Sequence, residues 1–254
     1  MTFTNSPSLS SVNYVLKFST LDRSVRFKQA QVEAAFSGFF KGQSQQTNVP
    51  DTVDPNQPRI VFGDETKTLA VSQVGCQLSM SFSESDISIA RQLEVSKKNV
   101  IEFCDRANRA FGDVITSQSG LVMEITFPSK ASSQELHQYI AEKFYSGPKV
   151  GEVASSNVTI GFKIKDLFLN FTAGVFEIRR FEFQTPQALA NTYIDVESMP
   201  VTEHGLAFKI DVNDRPRQQL NGPNLTPPIE LIQVIDDFIK NDFSNFSGLK
   251  LTEN

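Results

Sequence analysis

Apolar and polar residues alternate along the C-terminal half of the chain, between residues 158 and 212. Period-two alternation is typical of strands with one buried face, because successive side chains point to opposite sides of a sheet. Gly174, Pro186 and Pro200 interrupt the pattern as turn residues, so this stretch predicts an antiparallel meander of about five strands. The apolar positions of its two clearest strands are Ile160, Phe162, Ile164, Leu206, Phe208, Ile210 and Val212.

A helix is predicted directly after the meander, over residues 228 to 246, with apolar residues on a wide arc. It is the natural cover for the apolar face of the meander. A second helix is predicted to begin at Ser96, which can act as its N-cap. A third opens with Ser132 and Glu135, which have the spacing of a capping box.

The remaining N-terminal elements are a strand over residues 12 to 18, a helix from Ser24, and short strands that end near Phe82. Residues 41 to 58 are rich in Gln, Asn, Asp and Pro and predict a mobile polar loop. A further strand is predicted over residues 121 to 127.

This element order predicts an α+β fold, in which antiparallel sheet, including the C-terminal meander, is covered by helices on one side. Regular βαβ alternation is excluded because runs of strands follow one another without helices between them. No internal repeat is evident in the sequence. We expect one structural unit over residues 1–254 that has two lobes, about 1–128 and 129–254.

Composition excludes several classes of protein. The chain has a formal net charge of −5 and no run of Lys or Arg, which argues against binding to a nucleic-acid backbone. It has no apolar run of membrane-spanning length and no secretory signal at its N-terminus, so we expect a cytoplasmic protein without membrane contact. The 22 Phe residues, against 4 Tyr and no Trp, favour core packing over an aromatic binding face.

The sequence offers few side chains for catalysis. His137 flanks the third helix, and His204 lies in a Glu-His-Gly run that reads as a hairpin turn, so neither has a partner at zinc-ligand spacing. Cys76 and Cys104 fall on a predicted strand and a predicted helix, and we expect both to be reduced and buried. No glycine-rich phosphate loop is present, and we expect no cofactor.

Acidic residues form two small groups near predicted strand ends. Asp195 and Glu197 share one side of a strand, and Asp211 and Asp214 end the next strand. Carboxylates that converge in this way can hold a hard divalent cation. The alternative function is therefore a metal-dependent hydrolase that uses these four residues.

Three segments together resemble a known family. These are Pro58-Arg59-Ile60 leading into the alternating residues 69–82, the strand Phe208-Lys209-Ile210-Asp211-Val212, and a terminal helix with Asp236-Asp237-Phe238-Ile239-Lys240 and Phe243. They resemble a sporadically distributed family of uncharacterised bacterial proteins of about this length. The resemblance implies bacterial origin, a cytosolic location and patchy inheritance, which is compatible with a mobile-element or defence role.

The function expected from the sequence is that of a non-enzymatic binding or protein-interaction protein. An apolar-rich sheet under a helix can enclose a ligand cavity or offer a sheet edge to a partner. The expected partner is another protein or a second copy of the chain, and a small apolar ligand is an alternative.

Overall fold

The computed structural model describes the chain as one nine-stranded antiparallel sheet, in the strand order β2-β3-β4-β5-β1-β6-β9-β8-β7. The described residues are 6–82, 87–112, 114–148, 150–179, 199–222 and 226–251. The strands are β1 (Ser8–Phe18), β2 (Gln45–Gln46), β3 (Pro58–Gly63), β4 (Lys67–Ser72), β5 (Gly75–Ser81), β6 (Thr116–Pro128), β7 (Val158–Ile164), β8 (Leu167–Arg179) and β9 (Val201–Asn213).

The helices pack against one face of this sheet, so the α+β fold with helices on one side is confirmed. Among the described residues, no helix combines the length and the apolar character needed to span a bilayer. After a 3₁₀ turn at Val25–Lys28, the helices are α1 (Gln29–Ala35), α2 (Ile89–Phe111), α3 (Ser133–Phe144), α4 (Arg215–Asn221), α5 (Pro228–Asn241) and α6 (Phe243–Ser247).

A single apolar core lies between the sheet and the helices. Strand residues of one parity are buried there across the whole sheet, from Phe62 in β3 to Leu169 in β8. Aromatic contacts join the helices to the buried face of the sheet. The ring of Phe103 in α2 packs edge-on against that of Tyr14, with 5.8 Å between the ring centroids. Phe238 of α5 lies 5.5 Å from Phe171. The alternating pattern therefore predicted the buried face correctly.

The topology has an approximate two-fold repeat that the sequence did not reveal. The first half runs β1-α1-β3-β4-β5-α2, and the second half runs β6-α3-β7-β8-β9-α5. The two halves meet at β1 and β6, which pair antiparallel in the middle of the sheet. The division between halves therefore falls between α2 and β6, whereas the expected lobe boundary at residue 128 is the last residue of β6.

Two corrections concern the meander, whose described part consists of three long strands. Gly174 lies inside β8, and His204 and Gly205 lie inside β9, so neither site is a turn. Gly205 is needed for close approach of two strands, because a Cβ there would lie 2.1 Å from the carbonyl oxygen of Phe127. The strand expected over residues 193 to 196 lies outside the described residues, as does Pro186.

Helix boundaries were predicted with mixed success. The capping box of α3 is confirmed, since the Ser132 hydroxyl accepts from the Glu135 amide at 3.3 Å and the Glu135 carboxylate accepts from the Ser132 amide at 2.7 Å. Helix α2 begins at Ile89, before Ser96, whose buried hydroxyl instead donates to the Gln92 carbonyl at 2.8 Å. The single terminal helix expected over 228 to 246 is two helices that meet at Asp242.

Two arginines organise the polar segment 41–58, for which the sequence predicted a mobile loop. The fully buried Arg59 donates to the carbonyl oxygens of Gln57 at 2.6 Å and Val53 at 3.0 Å. Arg26 donates to the carbonyl oxygens of Thr47 and Val49 and to the Asp51 carboxylate. The Arg26 guanidinium, helped by Arg59, holds the pKa of the Asp51 carboxyl below its usual value.

Replacing Phe243 by Ala should destabilise the fold strongly. Phe243 is 1% exposed, and its ring lies 5.4 Å from that of Phe208 and 6.2 Å from that of Phe127. We expect the free energy of unfolding, measured by denaturant titration, to fall by about 3–5 kcal/mol, as it does for other large core truncations. Phe27→Ala is the matched control at a side chain 90% exposed, and should change it by less than about 0.5 kcal/mol. Equal losses in the two variants would contradict this packing.

Replacing Arg59 by Ala should release the segment 41–58. The substitution leaves several carbonyl oxygens without their donor, so we expect a loss of about 2–4 kcal/mol in the free energy of unfolding. Limited proteolysis followed by mass spectrometry should detect early cleavage within 41–58 in this variant and not in the parent protein. Arg91→Ala, which removes an exposed arginine paired with Glu94, is the control and should leave the cleavage pattern unchanged.

Candidate functional site

The face of the sheet opposite the helices is rich in small and uncharged polar side chains. We call it the open face. Helices α2, α3 and α5 pack on the other side, and most open-face side chains of the central strands are half-buried or exposed, although Thr126 is buried. Strand register aligns these side chains in rows across the sheet: one row is Thr68, Ser79, Asn13, Val122, Asp211, Asn170 and Gly161, and the next is Ala70, Gln77, Val15, Gly120, Asn213, Phe168 and Lys163.

Hydrogen bonds between neighbouring strands orient the polar groups of the open face. The Asn13 side-chain oxygen accepts from Gln77 at 3.0 Å and from the Ser79 hydroxyl at 2.8 Å. On the second half of the sheet, the Asp211 carboxylate accepts from the Asn170 amide of β8 at 3.4 Å and, within β9, from the Asn213 amide at 3.3 Å. The polar rows are therefore held in place before any partner binds.

A shallow groove crosses the second half of the open face. It has a volume of about 410 Å³ and is lined by residues from β7, β8 and β9 together with Arg215. Phe168 supplies an aromatic surface, and Asp211 and Lys163 supply opposite charges. This groove can therefore contact a partner that has both apolar and polar groups.

The charges on the open face nearly balance. Lys17, Lys163 and Lys209 lie on it together with Glu124 and Asp211. A surface that follows a nucleic-acid backbone needs a concentrated positive charge, which this set does not supply. Its amides and hydroxyls can each donate and accept hydrogen bonds.

The structure describes two of the four acidic residues of the hydrolase hypothesis, and these two lie on different sides of the sheet. Asp211 is on the open face, whereas Asp214 is buried on the helix side and accepts from the Ser119 amide and hydroxyl, both at 2.7 Å. Asp195 and Glu197 lie outside the described residues. No group of three His, Cys, Asp or Glu residues within the described ranges is arranged to hold a metal ion. The metal site stays a prediction that depends on Asp195 and Glu197.

Both histidines make local structural contacts. His137 Nδ1 lies 3.0 Å from the backbone nitrogen of Ser156 and can accept its hydrogen. His204 Nε2 lies 2.6 Å from the Ala131 carbonyl oxygen, to which it can donate. These bonds tie α3 and the residues just before it to neighbouring segments.

The two cysteines are buried and free. The Cys104 sulfur lies 3.1 Å from the Tyr14 hydroxyl, and burial raises the pKa of the Cys104 thiol to about 11. Burial also raises the pKa of the Cys76 thiol far above its usual value. Nucleophilic cysteines need a lowered pKa, so these thiols have the properties of core residues.

A cavity of about 230 Å³ with both apolar and polar walls lies beside Cys76, at the C-terminal end of α2. Its walls include Leu16, Phe18, Ala107 and Phe111. This volume is below the range of about 300–1,000 Å³ that is usual for sites of drug-sized ligands. Binding of a small apolar ligand stays a prediction, and this cavity is a place where such a ligand has room.

Comparison of the chain with known proteins does not assign it to a family. No protein-family model matches the chain, and no curated protein matches it. The open face and the buried polar contacts are therefore the features on which a function for this chain rests.

Replacing Asp214 by Ala should destabilise the protein whether or not divalent cations are present. The change removes the acceptor of the buried Ser119 amide and hydroxyl and one acceptor of the Gln218 side chain. We expect a loss of about 3 kcal/mol in the free energy of unfolding, measured by denaturant titration. Asp214→Asn retains an acceptor for the Ser119 amide and should lose only about 1 kcal/mol.

A different result would contradict this structural role of Asp214. Millimolar magnesium, manganese or calcium would then raise the melting temperature of the parent protein and leave that of Asp214→Asn unchanged. Binding to the native state alone raises stability by mass action. Such a gain would make Asp214 a metal ligand and favour the hydrolase.

Proposed function

We propose that the protein is a cytosolic binding protein without catalytic activity, and that its open face contacts a protein partner. The observation that carries this proposal is the aligned set of amides, hydroxyls and small apolar residues across the central strands, opposite the helix-covered side. Such a surface has fixed hydrogen-bonding groups and little net charge. Both properties favour recognition of another protein over binding to a charged polymer.

The seam between the two halves is the expected centre of the contact. Val15 and Val122 are half-buried aliphatic residues on the open face of β1 and β6, and Gly120 lies directly opposite Val15. A glycine and two short aliphatic side chains thus lie among the polar residues of the two rows, so a partner can approach the sheet closely there. Burial of such an apolar centre inside a polar rim is the usual arrangement of protein interfaces.

The resemblance to a sporadically distributed bacterial family adds a cellular context to this proposal. Patchy inheritance is compatible with a mobile-element or defence role, in which a binding protein would act on a partner encoded near it. The interaction surface proposed here is independent of that context.

Site-specific photo-crosslinking in cells tests the proposed surface. A photoreactive amino acid at Val122 should give a discrete adduct with one partner, because this position lies at the centre of the open face. The matched control is Ile101, an aliphatic residue of α2 that is 38% exposed. It should give no such adduct. Adducts from Ile101 alone, or none from Val122, would exclude the open face as the contact.

The substitution Val122→Arg tests the same surface by co-purification of the partner. An arginine on the open face can extend into solvent, so the melting temperature should stay within a few degrees of the parent value, whereas the crosslinked partner should no longer co-purify. Ile101→Arg is the control and should keep the partner. If Val122→Arg retains the partner at full yield, the proposal is wrong.

A further inference from the structure

Among the described residues, the β7 edge of the sheet has no strand partner on its outer side, whereas the equivalent edge of the first half has one. In the two-fold repeat, β3 and β7 occupy equivalent places, and β2 pairs with the outer side of β3 through Gln45 and Gln46. Strand β7 pairs with β8 on its inner side, and no described residue pairs with its outer side. An unpaired edge presents backbone donors and acceptors to another strand.

The hairpin between β7 and β8 determines which backbone groups point outward. Ile164 and Leu167 are partners that flank the two-residue turn, and such flanking residues form a hydrogen-bonded pair. Because hydrogen-bonded and non-bonded pairs alternate, the amide and carbonyl groups of Thr159, Gly161 and Lys163 point away from β8.

The apolar core is incomplete along the same edge. Val158, Ile160, Phe162 and Ile164 are all half-buried, although they lie on the core side of β7. Their neighbours on β8, including Leu169 and Phe171, are fully buried. A further strand with apolar residues on this side would therefore cover surface that is now partly exposed to water.

We propose that a second copy of this chain occupies the edge by antiparallel pairing of two β7 strands about Gly161. The strand reads Val-Thr-Ile-Gly-Phe-Lys-Ile, which is a palindrome of apolar and polar positions around its glycine. In this register Val158 of each copy faces Ile164 of the other, and Ile160 faces Phe162. The core side of the added strand is therefore apolar at every position.

The outward backbone groups and the charges favour the same register. Gly161 faces its own counterpart, and Thr159 of each copy faces Lys163 of the other, so the outward amides and carbonyls form about six hydrogen bonds. All residues of β7 are paired in this arrangement. A register centred on Lys163 would place two lysines opposite each other, which is destabilising. The pairing joins the two sheets into one and keeps both open faces on the same side.

Sedimentation equilibrium of the intact protein tests the pairing. The parent chain should have twice the monomer mass of 28.3 kDa at micromolar concentration. Thr159→Pro removes an outward amide without removing a bond to β8, so this variant should be a monomer. Thr159→Val is the matched control: it loses the same hydroxyl contact with Thr172 and retains the amide, so it should stay dimeric.

Charge variants at the same exposed position test the register even if the proline variant fails to fold. Thr159→Glu faces Lys163 of the other copy and should tighten the dimer about fivefold. Thr159→Lys creates a like-charge pair and should weaken it about fivefold. A monomeric parent protein, a dimer unaffected by Thr159→Pro, or equal effects of the Glu and Lys variants would overturn the proposal.

Discussion

The antiparallel pairing of β1 with β6 is the interaction on which the rest of the molecule depends. It extends from the partners Ser8 and Thr126 to the partners Phe18 and Thr116, and it is the only strand pairing between the two halves among the described residues. On the helix side it sets Tyr14 beside Leu121 at the centre of the core. On the other side it aligns the small residues at the centre of the open face.

Because the helices cover a single face of the sheet, its two faces have different properties. The helix side buries aromatic rings, and its few polar groups are bonded within the protein, as Tyr14 is to Cys104 and Asp214 is to Ser119. The open face keeps its polar groups near solvent and bonded to one another across strands. Most of the apolar burial that stabilises the fold therefore lies on the helix side of the sheet.

Much of this fold could be predicted from the sequence because strand alternation and helix caps are local signals. The parity of Phe208, Ile210 and Val212 predicted the buried face, and Ser132 with Glu135 predicted the start of α3. Two features that depend on distant contacts could not be predicted. Gly205 is required by the approach of Phe127, and Arg59 bonds to carbonyl groups whose positions exist only in the folded loop.

The two-fold repeat could not be predicted from the sequence either, because it is not encoded in a local motif. Each half needs only the same order of apolar strands and amphipathic helices, and many residues satisfy that pattern, so Leu69 and Val71 in β4 correspond to Leu169 and Phe171 in β8 without a shared motif. The open face was missed as well, because its rows consist of residues from many strands. Only strand register brings Asn13, Ser79 and Asp211 into line.

The central position of β1 has a consequence for how the chain folds during synthesis. β1 is made well before its neighbours β5 and β6, so its pairings are of long range and form slowly. After β5 has been synthesised and before β6 is available, β1 is an edge strand of an incomplete sheet. Its apolar residues are then exposed to solvent on one side. Chains that meet at that stage can exchange halves, with β6 of one chain pairing to β1 of another. Pairing of β6 with β1 within the same chain is thus the step that removes the unpaired β1 edge from solvent.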